Sequence, residues 1–189
     1  MTPVPMTLTY DHLRAIMPHA PPDLFRFVTP LNIAMDEFGI DTNVRRAAFL
    51  AQLAHESGSF RYMEEIASGA AYEGRRDLGN HEPEAIAAAK DAGTTPGRFY
   101  KGHGPIQITG YYNHRDCGKA LGLDLIHAPT QITLPVAGCR SAAWFWKSRN
   151  LNQFADAGQF EALTRRINGG INGLADRMAY LDRATEVLA

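Results

Sequence analysis

The run AAFLAQLAHESG at residues 47–58 constrains the fold more than any other stretch of the chain. Every position from Ala47 to Ala54 is apolar except Gln52, with no two-residue alternation, which predicts a buried helix and not a strand. Asp41 or Thr42 can cap its start and Gly58 can end it. A helix apolar on most of its surface must be enclosed by other helices, so this one belongs to the core of a helical domain. Within it Phe49, Leu53 and Glu56 share a face, so a carboxyl group rises from the apolar side at the helix end. Without a cation partner such a group loses hydration and holds its proton more tightly, as a general acid must. The alternative is that fraying at the helix end lets Glu56 reach water.

The rest of the chain is patterned in the same way. Helical spacing recurs in YDHLRAIM, in DLFRFVTPLNIAMDEFG (which Pro30 should kink or split), in YYNHRDCGKALG, and in PVAGCRSAAWFWKSRN, whose Trp144, Phe145 and Trp146 are assigned to core packing. It recurs again in QFEALTRRIN and GLADRMAYLDRATEVL, where Leu163, Ile167 and Ile171, then Leu174, Met178 and Leu181, form apolar faces. Residues 69–104 are glycine-rich and read as loops with one short helix near 82–93. PIQIT is the candidate strand; on it Gln107 and Thr109 would face one side and Ile106 and Ile108 the other. The class is mainly α with a small β element. No repeat or linker divides the 189 residues, so a single domain over 1–189 is expected.

A formal net charge of −1 argues against a nucleic-acid partner. The N-terminal stretch MTPVPMTLTYDHLRAIMPHAPPD lacks the pattern of a signal peptide, and no window is long and apolar enough to insert in a membrane. Synthesis in the cytoplasm is therefore expected. Cys117 and Cys139 have no metal-type spacing and read as buried free thiols.

Several chemistries fail on spacing. His55 is followed four residues later by Ser59, so no His-Glu-x-x-His zinc site forms, and His12, His19, His81, His103, His114 and His127 show no ligand spacing. GHGPIQITG lacks the Lys-Ser/Thr of a phosphate loop, and no Gly-x-Ser-x-Gly elbow occurs. Neither metal nor organic cofactor is expected. Glu64, Glu65, Glu73 and Asp77 follow the Glu56 helix closely. An acid at a helix end opposite a loop carboxylate suits inverting glycoside hydrolysis, in which the two groups stand about 6.5–9.5 Å apart across the bond.

Five separated stretches, AAFLAQLAHESGSF, YEGRRDLGN, GRFYKGHGPIQITGYYNH, AAWFW and RRINGGINGLADRMAYL, make the sequence resemble glycoside hydrolase family 19. The resemblance is to its chitinase-like enzymes, especially the bacteriophage and prophage lysozyme branch, and is strongest over residues 45–185. It implies a lysozyme-like, two-lobed helical fold with a central cleft and metal-free inversion. It makes Glu56 the general acid and Glu65 the base, with Glu73 the rival, and Thr109 a holder of the attacking water. Gln107, Asn113 and the cleft aromatic Tyr100 become sugar contacts, as do Asn168 and Arg177 on the opposite wall. Arg177 is also free to order Glu56 or a loop carboxylate. The family often carries arginine where this chain has His103, which should alter an ion pair there and add some pH sensitivity. The implied activity is a monomeric endolysin cutting the β-1,4 bonds of peptidoglycan after release by a separate lysis protein, with no separate wall-binding domain. A chitinase and a non-catalytic glycan-binding protein are the alternatives.

Overall fold

The computed structural model describes residues 7–189; the first six positions of the N-terminal stretch read above lie outside it. Among the described residues ten α-helices follow one another: α1 (Tyr10–Ile16), α2 (Val28–Glu37), α3 (Asn43–Glu56), α4 (Pro83–Asp91), α5 (Pro96–Phe99), α6 (Tyr111–Leu121), α7 (Pro135–Ser148), α8 (Leu151–Asp156), α9 (Phe160–Asn168) and α10 (Leu174–Val187). The central element is α3. Thr42, the first residue outside it, accepts the Arg45 N–H on its side chain, and everything from Arg46 to Ala54 is buried. It packs along α10, while α2 packs on α7.

The expected break at Pro30 falls earlier. A 3-10 helix over Pro22–Phe27 passes into α2 at Val28, leaving Pro30 in the first turn of α2, where no intrahelical N–H is needed. The main core joins α1, α2, α3 and α7 to α10 through residues such as Leu13, Leu31, Phe49, Leu53 and Trp146, whose ring meets Phe49 edge-on at 5.3 Å. A second, smaller cluster, Ala85, Tyr100 and Tyr111, joins α4 to the start of α6. The segments 57–68 and 101–110 put Phe60, Ile106 and Ile108 into the main core and lead from it toward the second cluster, which is the two-lobed arrangement.

The small β element amounts to two isolated bridges among the described residues, Glu64 with His103 and His103 with Ile108. Three expectations need correction. PIQIT is a tight turn instead of a strand: Gln107 has φ 55° and its N–H donates to the Gly104 carbonyl. Ile171 is 45% exposed because α9 stops at Asn168, where Gly169 takes the left-handed conformation. On α10 the inward face carries Arg177 and Ala184, and Met178 is left outside.

Candidate active site

Glu56 is the last residue of α3. The chain leaves it through three consecutive residues of left-handed backbone, Gly58, Ser59 and Phe60, with φ of 57°, 61° and 65°. That conformation is unfavourable for a bulky residue, and local bonds hold it. The buried Ser57 hydroxyl donates to the Leu53 carbonyl at 2.6 Å and accepts the Phe60 N–H at 2.7 Å, while Phe60 stacks on Phe27 at 4.4 Å.

The carboxylate of Glu56 has a cation partner, so the sequence argument from an unpaired, desolvated acid does not hold. Arg177, 1% exposed, brings Nη2 within 2.5 Å of Glu56 Oε1. The contact is close but poorly aligned for a hydrogen bond, so charge more than direction joins the two. The guanidinium is itself fixed: Nη1 donates to Gln52 Oε1 and Nε to the Asn172 carbonyl. Gln52 in turn donates to Thr164 Oγ1 at 2.9 Å. Arg177 is therefore a buried strut behind Glu56 and not part of an open wall. Beside this pair, His55 donates from Nδ1 to Asp176 at 2.7 Å. Its ring fits only because residue 173 is glycine: with φ 71°, any Cβ there would lie 2.1 Å from the imidazole.

Glu65 has different surroundings. Its Oε1 accepts from the Tyr72 hydroxyl at 3.0 Å and its Oε2 from the Gly102 N–H at 2.8 Å. The Glu65 N–H donates to the Gly102 carbonyl at 2.8 Å, so two strands of loop are laced together at this residue. Lys101 forms its ion pair with neighbouring Glu64, at 2.7 Å. Burial, then the hydrogen bond from Tyr72 to the Glu65 carboxylate and its charge, raise the Tyr72 phenol above its ordinary range, so it stays a donor. Gly102 is tight as well: a Cβ there would approach Gln107 Oε1 to 2.5 Å and Glu65 Oε2 to 3.2 Å. Gln107 and Glu65 thus share one spot. Thr109 donates to the Gln107 carbonyl at 3.1 Å, and Asn113 donates to the Thr109 carbonyl at 2.7 Å.

Glu73 lies elsewhere. Its carboxylate accepts from the Thr95 hydroxyl and, at 3.1 Å, from the Gly97 N–H, which ties down the start of α5. Tyr100 is no cleft aromatic: it is fully buried, donates to the Ile126 carbonyl at 2.7 Å and meets Tyr111 edge-on. Asn168 ends α9 on the surface. Behind the Gly102 wall, His103 and His114 are buried against each other, Nδ1 to Nε2 at 3.0 Å. The Gly110 carbonyl can only accept, so His114 donates to it from Nδ1 and receives the His103 proton on Nε2. Burial, and then Lys101, lower the His103 pKa to about 4. Burial, and then His103, lower that of His114 to about 3.

Sequence reasoning missed Gln52, Thr164, Tyr72 and the His55–Asp176 pair. Gln52 alone carried a signal, as the one polar residue in the apolar run and four positions before Glu56. The arrangement joins two carboxylates by one tight turn, one against a buried cation and one in a cradle of neutral donors. The guanidinium can stabilise negative charge on Glu56, and the two donors fix the plane of the Glu65 carboxylate.

Known proteins agree with this architecture. The fold is similar to that of chitinase C from Streptomyces griseus HUT6037, with a TM-score of 0.78 at 20% identity, covering 100% of this chain and 95% of that one. An Arabidopsis thaliana endochitinase is 42% identical over 125 residues, 66% of this chain and 38% of its own length, so the chain spans about two-fifths of that relative. A glycosyl hydrolase family 19 domain-containing protein of Haemophilus influenzae is 29% identical over 182 residues, 86% of this chain and 88% of its own length. The profile of the family described as Chitinase class I matches residues 32–172, and the chain belongs to this family, glycoside hydrolase family 19.

Proposed function

We propose that the protein hydrolyses the β-1,4-linked glycan strand of peptidoglycan by inversion, as an endolysin of the muramidase type. Glu56 gives its proton to the glycosidic oxygen as the bond from that oxygen to C1 breaks. Water attacks C1 from the opposite face and passes its proton to Glu65, with Thr109 helping to hold that water. Proton transfer leaves Glu56 negative, and Arg177 at 2.5 Å stabilises that charge where it develops. The observation that carries the choice of base is the common spot of Glu65 and Gln107 at Gly102, against the engagement of Glu73 with Thr95 and Gly97.

The peptidoglycan reading rests on the resemblance of the five stretches quoted above, and of Glu64-Glu65 after the acid helix, to the phage and prophage branch, and on two buried thiols that form no disulfide, which suits synthesis in a reducing cytoplasm before release to the wall. A second reading, a chitinase, is favoured by the names of the plant relatives. Incubating purified sacculi with wild type and with Glu56→Gln separates them. Fragments with reducing N-acetylmuramic acid ends, missing with the variant, support the first. Cleavage of N-acetylglucosamine oligomers alone supports the second, and binding with no release from either would mean a glycan-binding protein.

A further inference from the structure

We propose that the end of α3 remote from Glu56 carries a second glycan-binding site, an open cavity of about 480 Å³ that takes an uncharged N-acetylhexosamine unit. The identity of that ligand rests on the hydrolase reading above; the cavity does not. Arg45 lies in its wall, and the helical rise puts it roughly 16 Å along the axis from Glu56, so the two sites are separate.

The walls are braced without a ligand. Arg45 donates from Nε and Nη2 to the two oxygens of Asp156, both at 2.7 Å, and from Nη1 to Asp41 at 2.6 Å. Asn152 accepts the Trp146 indole N–H at 2.7 Å and donates to the Gly39 carbonyl at 2.8 Å. These bonds tie α3 to α8 and α8 to the end of α2, so the concave shape is preformed. What stays uncommitted lines the cavity. The side-chain amides of Asn150 and Gln153 hydrogen-bond to nothing else among the described residues. Lys147 stands over the Phe38 ring, 5.9 Å from its centroid.

This chemistry selects by elimination. The charges of Arg45 and Lys147 are balanced by those of Asp41 and Asp156, so neither an anion nor a cation is favoured. Two free amides offer paired donors and acceptors to hydroxyl or acetamido groups, and the Phe38 ring offers an apolar surface. In an insoluble polymer a second weak site raises retention through effective concentration, while turnover of a short soluble chain gains nothing from it.

The test uses Glu56→Gln, so that the ligand survives, and follows side-chain amide NMR signals on titration with the tetramer of N-acetylglucosamine. A partner variant combines Gln153→Ala with Asn150→Gly, glycine because residue 150 has φ 53°. The expected result is shifts at Asn150 and Gln153, unchanged turnover of the soluble tetramer by the double variant in the active background, and several-fold weaker retention on insoluble polymer. Shifts confined to Gln107 and Asn113, with retention unchanged, overturn the second site and leave the hydrolase reading standing. Shifts at Asn150 and Gln153 in a protein whose wild type releases no reducing ends support the site and overturn the hydrolase reading. No shifts at all overturn the site.

Discussion

Arg177 places one guanidinium nitrogen 2.5 Å from the Glu56 carboxylate and another on the side-chain carbonyl of Gln52, one helical turn earlier on α3. A lysine keeps the charge but cannot serve Gln52, Asn172 and Glu56 together. Arg177→Lys should cost about 2–4 kcal/mol in urea unfolding, because buried acceptors lose their donors, and should lower turnover at least tenfold. Glu56→Gln removes the charge that balances the buried guanidinium, so it should cost about 1–3 kcal/mol with the fold retained, and should abolish turnover. Reducing-end release and urea melts on both variants check the contrast.

Tyr72 and Gly102 each donate to one oxygen of Glu65, which fixes the plane of the carboxylate. Tyr72→Phe should lower kcat about tenfold while leaving KM and the melting temperature little changed, as expected for a group that orients a base. Glu65→Gln should remove turnover. Glu73→Gln should instead lower stability by roughly 1 kcal/mol, the usual worth of a hydrogen bond, with activity retained. Steady-state kinetics on the three proteins at equal folded fraction decides between the two carboxylates.

Stability should fall on the acid side because of the imidazole pair. His103 and His114 titrate near their ordinary value when unfolded and near about 4 and about 3 when folded. The unfolded chain therefore binds more protons as pH drops below about 6.5, and stability is lost progressively down to the folded values. The contribution is fully present at neutral pH. Replacing the pair, as His103→Phe with His114→Leu, should flatten the dependence between pH 6.5 and 4. Urea unfolding at several pH values measures it.

Gly173 combines a left-handed φ of 71° with a Cβ position already taken by the His55 ring. Gly173→Ala must displace that ring from Asp176, so a loss of about 2 kcal/mol or more is expected together with reduced turnover. Calorimetry and the sacculus assay read the two effects.

Burial pushes the Cys117 thiol up to about 12 and raises that of Cys139 as well. Both should react slowly with a thiol reagent in the native protein and quickly in urea. Prompt reaction of either in native buffer would contradict their placement.

The helices were legible because their apolar spacing is local: α3, α6 and α10 appear in the sequence within a residue or two of their ends. Glu56 was legible as an acid on an apolar face. Its cation was foreseen only as one option, since nothing in ADRMAYL marks Arg177 as the residue that turns inward in place of Met178. Tyr100 and Tyr72 show the same limit from both sides. Each is a tyrosine in a glycine-rich loop, yet one is core and the other touches Glu65, and only tertiary packing separates them. The alternating PIQIT pattern placed Ile106 and Ile108 inward correctly, but the left-handed Gln107 makes a turn of it, because the His103 and Ile108 backbones pair across it.

The left-handed run after Glu56 also bears on the order of folding. Glu56 and Glu65 are nine positions apart, and the backbone N–H bonds of the turn that follows Glu56 reach back no further than Leu53. Closing so short a loop costs little entropy, and contacts of low sequence separation form early. The turn between the two carboxylates can therefore assemble as soon as α3 does. Bringing Arg177 to Glu56 from near the other end of the chain closes a far longer loop, so the charged strut should be added to a turn already made.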